Sequence, residues 1–205
     1  MASKKLDVFQ TITDAVNLGI SNFVPLLLTA VLYVVTIWIP WLNVGTTIGF
    51  YKTIIKLSKG ETIEPTAIFS KDNFNNLGNF FLLLGLVFVG TASACVFMFV
   101  PGIVMGIAWG FSTLILIDKQ VRPVKAMALS DKATYGNKWR IFLIMLVFGL
   151  AVGILSALLG LIPYVGPVLT ILVSIVMVAV EIALWAVMYR TISEEVDAVL
   201  AAPAE

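Results

Sequence analysis

The chain lacks histidine altogether and has a single cysteine, Cys95. Without histidine it cannot build His-based metal centres, Cys/His zinc sites or Ser-His-Asp triads, and one cysteine cannot form an intrachain disulfide. Haem or chlorophyll could not be held through an axial histidine either. We therefore expect no metal and no cofactor, and we interpret Cys95 as a small apolar residue that fills space between helices.

Charged residues are scarce as well, since Asp, Glu, Lys and Arg together make up 12% of the 205 residues. Soluble domains carry about twice that share. The net charge of +1 gives no electrostatic basis for binding nucleic acid. With 60% hydrophobic residues and a mean hydropathy of +1.03, most of the fold is expected to face lipid.

Long apolar runs predict an all-α integral membrane protein with six transmembrane helices, arranged as three helical hairpins. The stretch from Asn73 to Ile117 has no charged residue and is long enough for two spans joined by a turn. The predicted spans are residues 23–39, 44–57, 77–100, 103–117, 140–161 and 168–189. The predicted hairpin turns lie at Pro40, at Pro101 and Gly102, and at residues 162–167, which include Pro163 and Pro167. Because the second and fourth spans are short, an alternative arrangement has some hairpins entering from one side without crossing.

The three hairpins are interpreted as one repeated unit within a single membrane domain that covers residues 1–205. The repeat units are residues 1–57, 58–117 and 118–192, followed by a short acidic tail at 193–205. The turn prolines Pro40, Pro101 and Pro163 are 61 and 62 residues apart, and a regular period indicates one structural unit used repeatedly. The alternative is that proline simply recurs at the helix ends of membrane proteins.

The positions of the basic residues predict the orientation in the membrane. All 13 Lys and Arg residues lie in the N-terminal segment, in the connectors 58–76 and 118–139, or at helix ends next to them. None lies at a predicted hairpin tip. The positive-inside tendency therefore places both termini in the cytoplasm.

Amphipathic segments on the same side are predicted to form cytoplasmic interfacial helices. The first covers residues 3–22, and its apolar face is formed by Leu6, Phe9, Val16 and Ile20. In the second connector, Pro123 is well placed as the first residue of a helix. Asp118 and Lys119, which end the fourth span, are expected to be solvated.

Glu181 is the most unusual residue, because it is the only charged residue between Arg140 and Arg190 and lies well inside the sixth span. A carboxylate at that depth costs several kcal/mol unless it is protonated, paired or hydrated. The preferred interpretation is an ion pair with Lys52, since the helix rise places both residues roughly 18 to 21 Å from the hairpin tips. Two alternatives remain open: a proton- or cation-binding site, and a protonated carboxyl group that hydrogen-bonds a neighbour.

Small residues are frequent in the spans, and Gly149-x-x-x-Gly153 is a pattern that lets helix backbones approach closely. We interpret it as a packing feature and not as part of a permeation path. No nucleophile lies beside a base, and the connectors contain no glycine-rich phosphate loop. No catalytic residue is therefore predicted, and the chain is not expected to be an enzyme.

A set of residues around the middle of the chain resembles a known pattern. It comprises Pro101-Gly102-Ile103, Trp109, Asp118, Pro123, Ala126, Ser130, Gly136 and Trp139. The pattern is similar to that of a broad group of uncharacterised bacterial multi-pass membrane proteins, and to the membrane domain attached to some glycerophosphodiester phosphodiesterases. The resemblance covers about residues 58–190 and implies six helices in the bacterial inner (cytoplasmic) membrane. It implies no activity, since the group has none assigned and this chain has no phosphodiesterase domain.

Two classes of function are compatible with these features. The leading hypothesis is a non-enzymatic integral membrane scaffold or accessory protein, which acts through the lipid bilayer and through lateral contacts with other membrane proteins or with further copies of itself. Such a protein could also shape the membrane through its hairpins and interfacial helices. The alternative is a small-solute, ion or lipid transporter or channel that uses Glu181.

Overall fold

The computed structural model describes residues 5–162 and 164–201, and in that part of the chain the secondary structure is entirely helical. Two short 3-10 helices, at Pro65–Phe69 and Lys71–Phe74, occupy the first connector. The α-helices are α1 Val8–Ser21, α2 Phe23–Thr36, α3 Leu42–Ser58, α4 Leu77–Phe97, α5 Phe99–Trp109, α6 Ser112–Lys119, α7 Pro123–Thr134, α8 Lys138–Gly160 and α9 Gly166–Ala201. The described part of the chain is therefore an all-α protein, as the apolar runs predict.

Helix α9 is the element on which the others pack. It contains 36 residues and is about 54 Å long at the usual helix rise. It contacts α1, α2, α3, α7 and α8. Its middle and C-terminal parts are buried at Ala179, Val180, Ile182, Ala183, Leu184, Ala186, Val187, Met188, Tyr189, Ile192 and Val196. The hydrophobic core therefore lies along the C-terminal half of α9, while much of its N-terminal half is exposed.

Several helices are long and apolar enough to cross a membrane. Among the described residues, four segments meet this requirement, namely Leu77–Val96, Val100–Lys119, Lys138–Gly160 and Gly166–Ala201, and the second of them joins α5 to α6. Helices α1 and α2 would form a fifth if their pair, bent by 84°, counts as one span. Helix α3 has 17 residues, short of the roughly 20 that usually span a bilayer. An all-helical fold with four or five such segments is consistent with a multi-pass membrane protein, and six spans remain a prediction.

The second hairpin turns at a different place from the predicted one. Pro101 and Gly102 lie inside α5, and the break from α4 is at Met98, which is extended at φ −159° and ψ 136°. Proline in the first turn of a helix costs little, because its missing N–H would have no helical partner there. Gly102 serves packing instead, since a Cβ at this position would lie 3.0 Å from the Cα of Cys95.

The other predicted turns are placed as follows. Pro40 lies in the turn between α2 and α3, whereas Pro167 is the second residue of α9 and not part of the third turn. Pro163 lies outside the described residues. Helix α9 continues to Ala201, so residues 193–201 of the predicted tail extend the sixth span as a helix.

Helix α1 forms where the first interfacial helix was predicted, but a different face of it is buried. Its buried residues are Thr11, Ala15 and Gly19, which recur every four positions. A Cβ on Gly19 would lie 2.8 Å from the Cα of Val180, so the backbones of α1 and α9 cross in direct contact. Small residues permit that approach. Phe9 and Ile20 of the predicted apolar face are exposed, which leaves them free to meet lipid.

The first connector packs against α3 at two of the glycines in that helix. Gly45 faces the ring of Phe74, and a Cβ on Gly49 would lie 2.6 Å from the Cα of Ile68. Ile68 is fully buried. The small-xxx-small pattern of α3 therefore lets the connector pack directly against the helix, with the side chain of Ile68 inside the protein.

Candidate functional site

The most developed polar site surrounds Asp118, the second-last residue of α6. Its carboxylate forms an ion pair with Lys59, which immediately follows α3. The hydroxyl of Tyr189 in α9 donates to Asp118 Oδ2 at 2.9 Å. The side chain of Asp118 is only 4% exposed, so the expectation that it is solvated is wrong. A buried carboxylate of this kind is stable only when its partners compensate for the lost water.

Further polar contacts extend the site along α9. Lys119 Nζ lies 3.4 Å from Asp118 Oδ2 and 2.6 Å from Asp197 Oδ1, so it bridges the two acids. Arg190 Nε donates to the backbone carbonyl of Ser58 at 2.8 Å. We call Ser58, Lys59, Asp118, Lys119, Tyr189, Arg190 and Asp197 the ionic cluster. It ties the C-terminal ends of α3 and α6 to α9.

The charges of the ionic cluster suit a role in holding the helices together. Its three cations and two anions leave a formal charge of +1, as counted on Lys59, Lys119, Arg190, Asp118 and Asp197. The cations lie where α3 and α6 end, and cations are favoured next to the free carbonyls of helix C-termini. Within the cluster, no nucleophile lies beside a base. Its contacts hold helices together and show no arrangement for covalent catalysis.

Two further polar residues have defined contacts, and the first of them, Ser130, belongs to the sequence pattern described above. Ser130 in α7 is buried, and its hydroxyl donates to the carbonyl of Ala108 at 2.6 Å. That carbonyl lies in the last turn of α5, where it has no helical partner. Asn137, which precedes α8, accepts from the backbone N–H of Leu6 at 3.1 Å through its side chain. These contacts fix α7 and the start of α1 to the bundle.

Glu181 lies on the outward side of α9. It is exposed, while its neighbours Val180 and Ile182 are buried. No hydrogen bond or ion pair reaches its carboxylate from any residue in 5–162 or 164–201. Glu181 borders two openings on either side of α9, each of about 360 Å³. This acid is therefore not enclosed in the bundle.

The two openings beside Glu181 differ in chemistry. We call the first the α3–α9 cleft; it carries hydroxyl groups from Tyr33, Thr47 and Tyr51. We call the second the α8–α9 groove; its α8 wall is formed by Met145, Phe148, Gly149 and Val152, and its α9 wall includes Ser174, Val178, Glu181 and Trp185. Val178, Glu181 and Trp185 are common to both openings.

Lys52 lies elsewhere, so the structure does not bring Lys52 and Glu181 together. Lys52 lines a cavity of about 300 Å³ with Asp72, Asn76 and Gln120. Asn76 Nδ2 donates to Gln120 Oε1 at 3.2 Å in the same place. The α3 residues that line the α3–α9 cleft are instead Thr47, Phe50, Tyr51 and Ile54. Lys52 and Glu181 therefore border different openings of the bundle.

Comparison with known proteins finds no relative of this chain. No protein-family model, curated protein or solved structure matches this chain. The likeness to bacterial multi-pass membrane proteins remains an expectation from the sequence pattern.

Proposed function

We propose that this chain is a non-enzymatic, multi-pass membrane scaffold or accessory protein, which works through lateral contacts with lipid and with partner membrane proteins. The observation that carries the proposal is the outward exposure of two of the apolar helices. In α4 and in α8, only 11% of the most apolar window is buried within the chain. Their glycines Gly85, Gly149 and Gly153 have open space where a side chain would project. Such faces suit contact with other helices, because small residues let backbones approach.

The proposal includes the predicted topology of six spans in three repeated hairpins, with both termini in the cytoplasm of a bacterial cell. Three observations support it. The helix pairs α2 with α3, α4 with α5, and α8 with α9 each pack together. The ionic cluster gathers the ends of α3 and α6 at one end of the bundle. Asparagine also recurs near the starts of three helices, since Asn22 and Asn137 directly precede α2 and α8, and Asn79 is the third residue of α4.

Labelling of single cysteines tests this topology. In a Cys95→Ser background, a cysteine replaces either Trp38, an 86% exposed side chain beside Pro40, or Lys125, an exposed residue of α7. In intact spheroplasts, we expect a membrane-impermeant maleimide to label position 38, and to label position 125 only after the membrane is disrupted. Labelling of both positions only after disruption would show that the first hairpin does not cross.

Site-specific photocrosslinking in the membrane tests the lateral-contact proposal. A photoreactive residue replaces Phe88 on α4 or Ile154 on α8, both of which are exposed, and the buried Ile144 of α8 serves as the matched control. We expect discrete adducts with other membrane proteins from position 88 or 154 and none from position 144. Adducts with lipid alone at every position would contradict the proposal that the chain contacts partner membrane proteins.

A transporter or channel is the second candidate, and the specific observation in its favour is that Glu181 joins two openings of about 360 Å³ each. Proteoliposomes separate the two candidates. A scaffold produces no proton or cation flux in either the native chain or the Glu181→Gln variant. Flux that is present in the native chain and lost in Glu181→Gln would establish transport.

A further inference from the structure

We infer that the α8–α9 groove receives a transmembrane helix of a partner protein that carries a lysine or arginine near mid-membrane, and that this cation pairs with Glu181. The inference rests on the proposed lateral-contact function, and it specifies the chemistry of the partner. Three features carry it: the unpaired acid, its depth, and the shape of the groove beside it.

The first feature is a carboxylate without a partner on an otherwise apolar helix face. Ser174, Val178, Glu181 and Trp185 recur at intervals of three to four residues, so they share one side of α9. All of them border the α8–α9 groove. No contact from residues 5–162 or 164–201 satisfies Glu181, and a carboxylate facing hydrocarbon is costly unless a cation or donor meets it. A cation or donor that meets Glu181 would therefore come from outside the described residues.

The second feature is depth. Glu181 precedes Arg190 by nine residues, which corresponds to about 13 Å along the helix. Arg190 belongs to the ionic cluster and donates to Ser58, so it marks the end of the apolar region. A lipid ammonium group stays near the headgroup level, whereas about 13 Å approaches the middle of a hydrocarbon core of roughly 30 Å. A basic side chain on a crossing helix is the cation that reaches this depth.

The third feature is a groove that a helix can enter. Gly149 forms part of the α8 wall, and a Cβ built on it would meet nothing within 4 Å. Gly153 is equally open one turn further along α8. An incoming backbone can therefore approach α8 closely while its basic side chain turns toward α9. The indole of Trp185 lies beside Glu181 and adds a cation–π surface for that side chain.

Synthetic helices test the inference with the full-length protein in liposomes. The probes are Leu-Ala transmembrane peptides that are identical except for a central Lys or a central Leu, and energy transfer to the labelled protein reports binding. We expect the Lys peptide to bind about tenfold more tightly than the Leu peptide, the scale of a good polar contact between membrane helices. Glu181→Gln should abolish the difference, and Glu181→Asp should retain most of it.

Two glycine variants test the location. Gly149→Leu fills the groove without clashing with the rest of the chain, and we expect it to weaken binding of the Lys peptide to the level of Glu181→Gln. Gly85→Leu is the matched control, because Gly85 lies on α4 in equally open space, and it should leave binding unchanged. Equal effects of the two glycine variants would place the peptide elsewhere and overturn the inference.

The remaining outcomes are also decisive. Equal binding of the Lys and Leu peptides, or a preference that survives Glu181→Gln, contradicts the inference. Self-association of the native protein that disappears in Glu181→Gln would show that a second copy fills the groove, which also contradicts it. If the Lys peptide shows no preference in binding while photocrosslinking at Phe88 still captures membrane proteins, the proposed lateral-contact function stands. Only the inference that the partner helix carries a basic residue is then wrong.

Discussion

Replacement of Gly19 by valine is expected to destabilise the folded protein by about 3 kcal/mol, at the upper end of the cost of overpacking. The reason is the direct backbone contact between α1 and α9. A Cβ on Gly19 would lie 2.8 Å from the Cα of Val180 and 3.1 Å from the carbonyl oxygen of Ala179. Both neighbours are backbone atoms of a long helix, so neither can rotate out of the way. The helices must separate, and α1 then loses its buried face.

Thermal unfolding in detergent, followed by tryptophan fluorescence, measures this effect. For a chain of this size, 3 kcal/mol corresponds to a fall in the unfolding midpoint of about 6–12 °C. Gly85→Val is the control, since a side chain at Gly85 has nothing within 4 Å. Limited proteolysis should in addition cleave the Gly19→Val protein within α1. Equal midpoints for the two valine variants would mean that α1 does not lie against α9.

Replacement of Asp118 by alanine has the second largest expected effect, a loss of about 2–3 kcal/mol of stability. Removing one member of a buried ion pair costs 3–5 kcal/mol when the remaining charge is fully buried. Here the cost is smaller, because Lys59 is 45% exposed and Lys119 keeps its contact with Asp197. The hydroxyl of Tyr189, by contrast, is left buried without its acceptor.

A second aspartate provides the control for this experiment. Asp131 also pairs with a lysine, Lys138 at 2.6 Å, but its side chain is 53% exposed. Exposed pairs contribute at most about 1 kcal/mol, so Asp131→Ala should shift the unfolding midpoint much less than Asp118→Ala. Asp118→Asn should fall between the two, because an amide oxygen can still accept from Tyr189. Indistinguishable midpoints for the two alanine variants would mean that the ionic cluster does not fasten the bundle.

Much of the fold follows from local patterns in the sequence. Apolar runs identify the helices, and the all-α prediction is confirmed for the described residues, which contain four or five segments long and apolar enough to cross a membrane. Pro123 does begin α7. The turn at Pro101 and Gly102 was misplaced because a Pro-Gly pair usually marks a turn. Within an apolar run the same pair can open a helix, and only the distance to Cys95 shows that Gly102 is needed for packing.

The site was harder to predict, because it depends on contacts between distant parts of the chain. An acid at a helix end beside Lys119 is ordinarily solvated, and nothing local shows that Asp118 is buried. Its partners Lys59 and Tyr189 are 59 and 71 residues away in sequence. Glu181 was found because a charge in an apolar run is conspicuous. Its proposed partner Lys52 was chosen by depth alone, and depth does not specify which face of a helix a residue occupies.

The contact between α1 and α9 has a consequence for biosynthesis. Gly19 and Val180 touch although 161 residues separate them. At translation rates of 5–20 residues per second, the first helix waits roughly 10–30 seconds before its docking surface emerges from the ribosome. Until then, the face of α1 that carries Thr11, Ala15 and Gly19 has no α9 to pack against. Synthesis of α9 is therefore the step that completes the packing around α1.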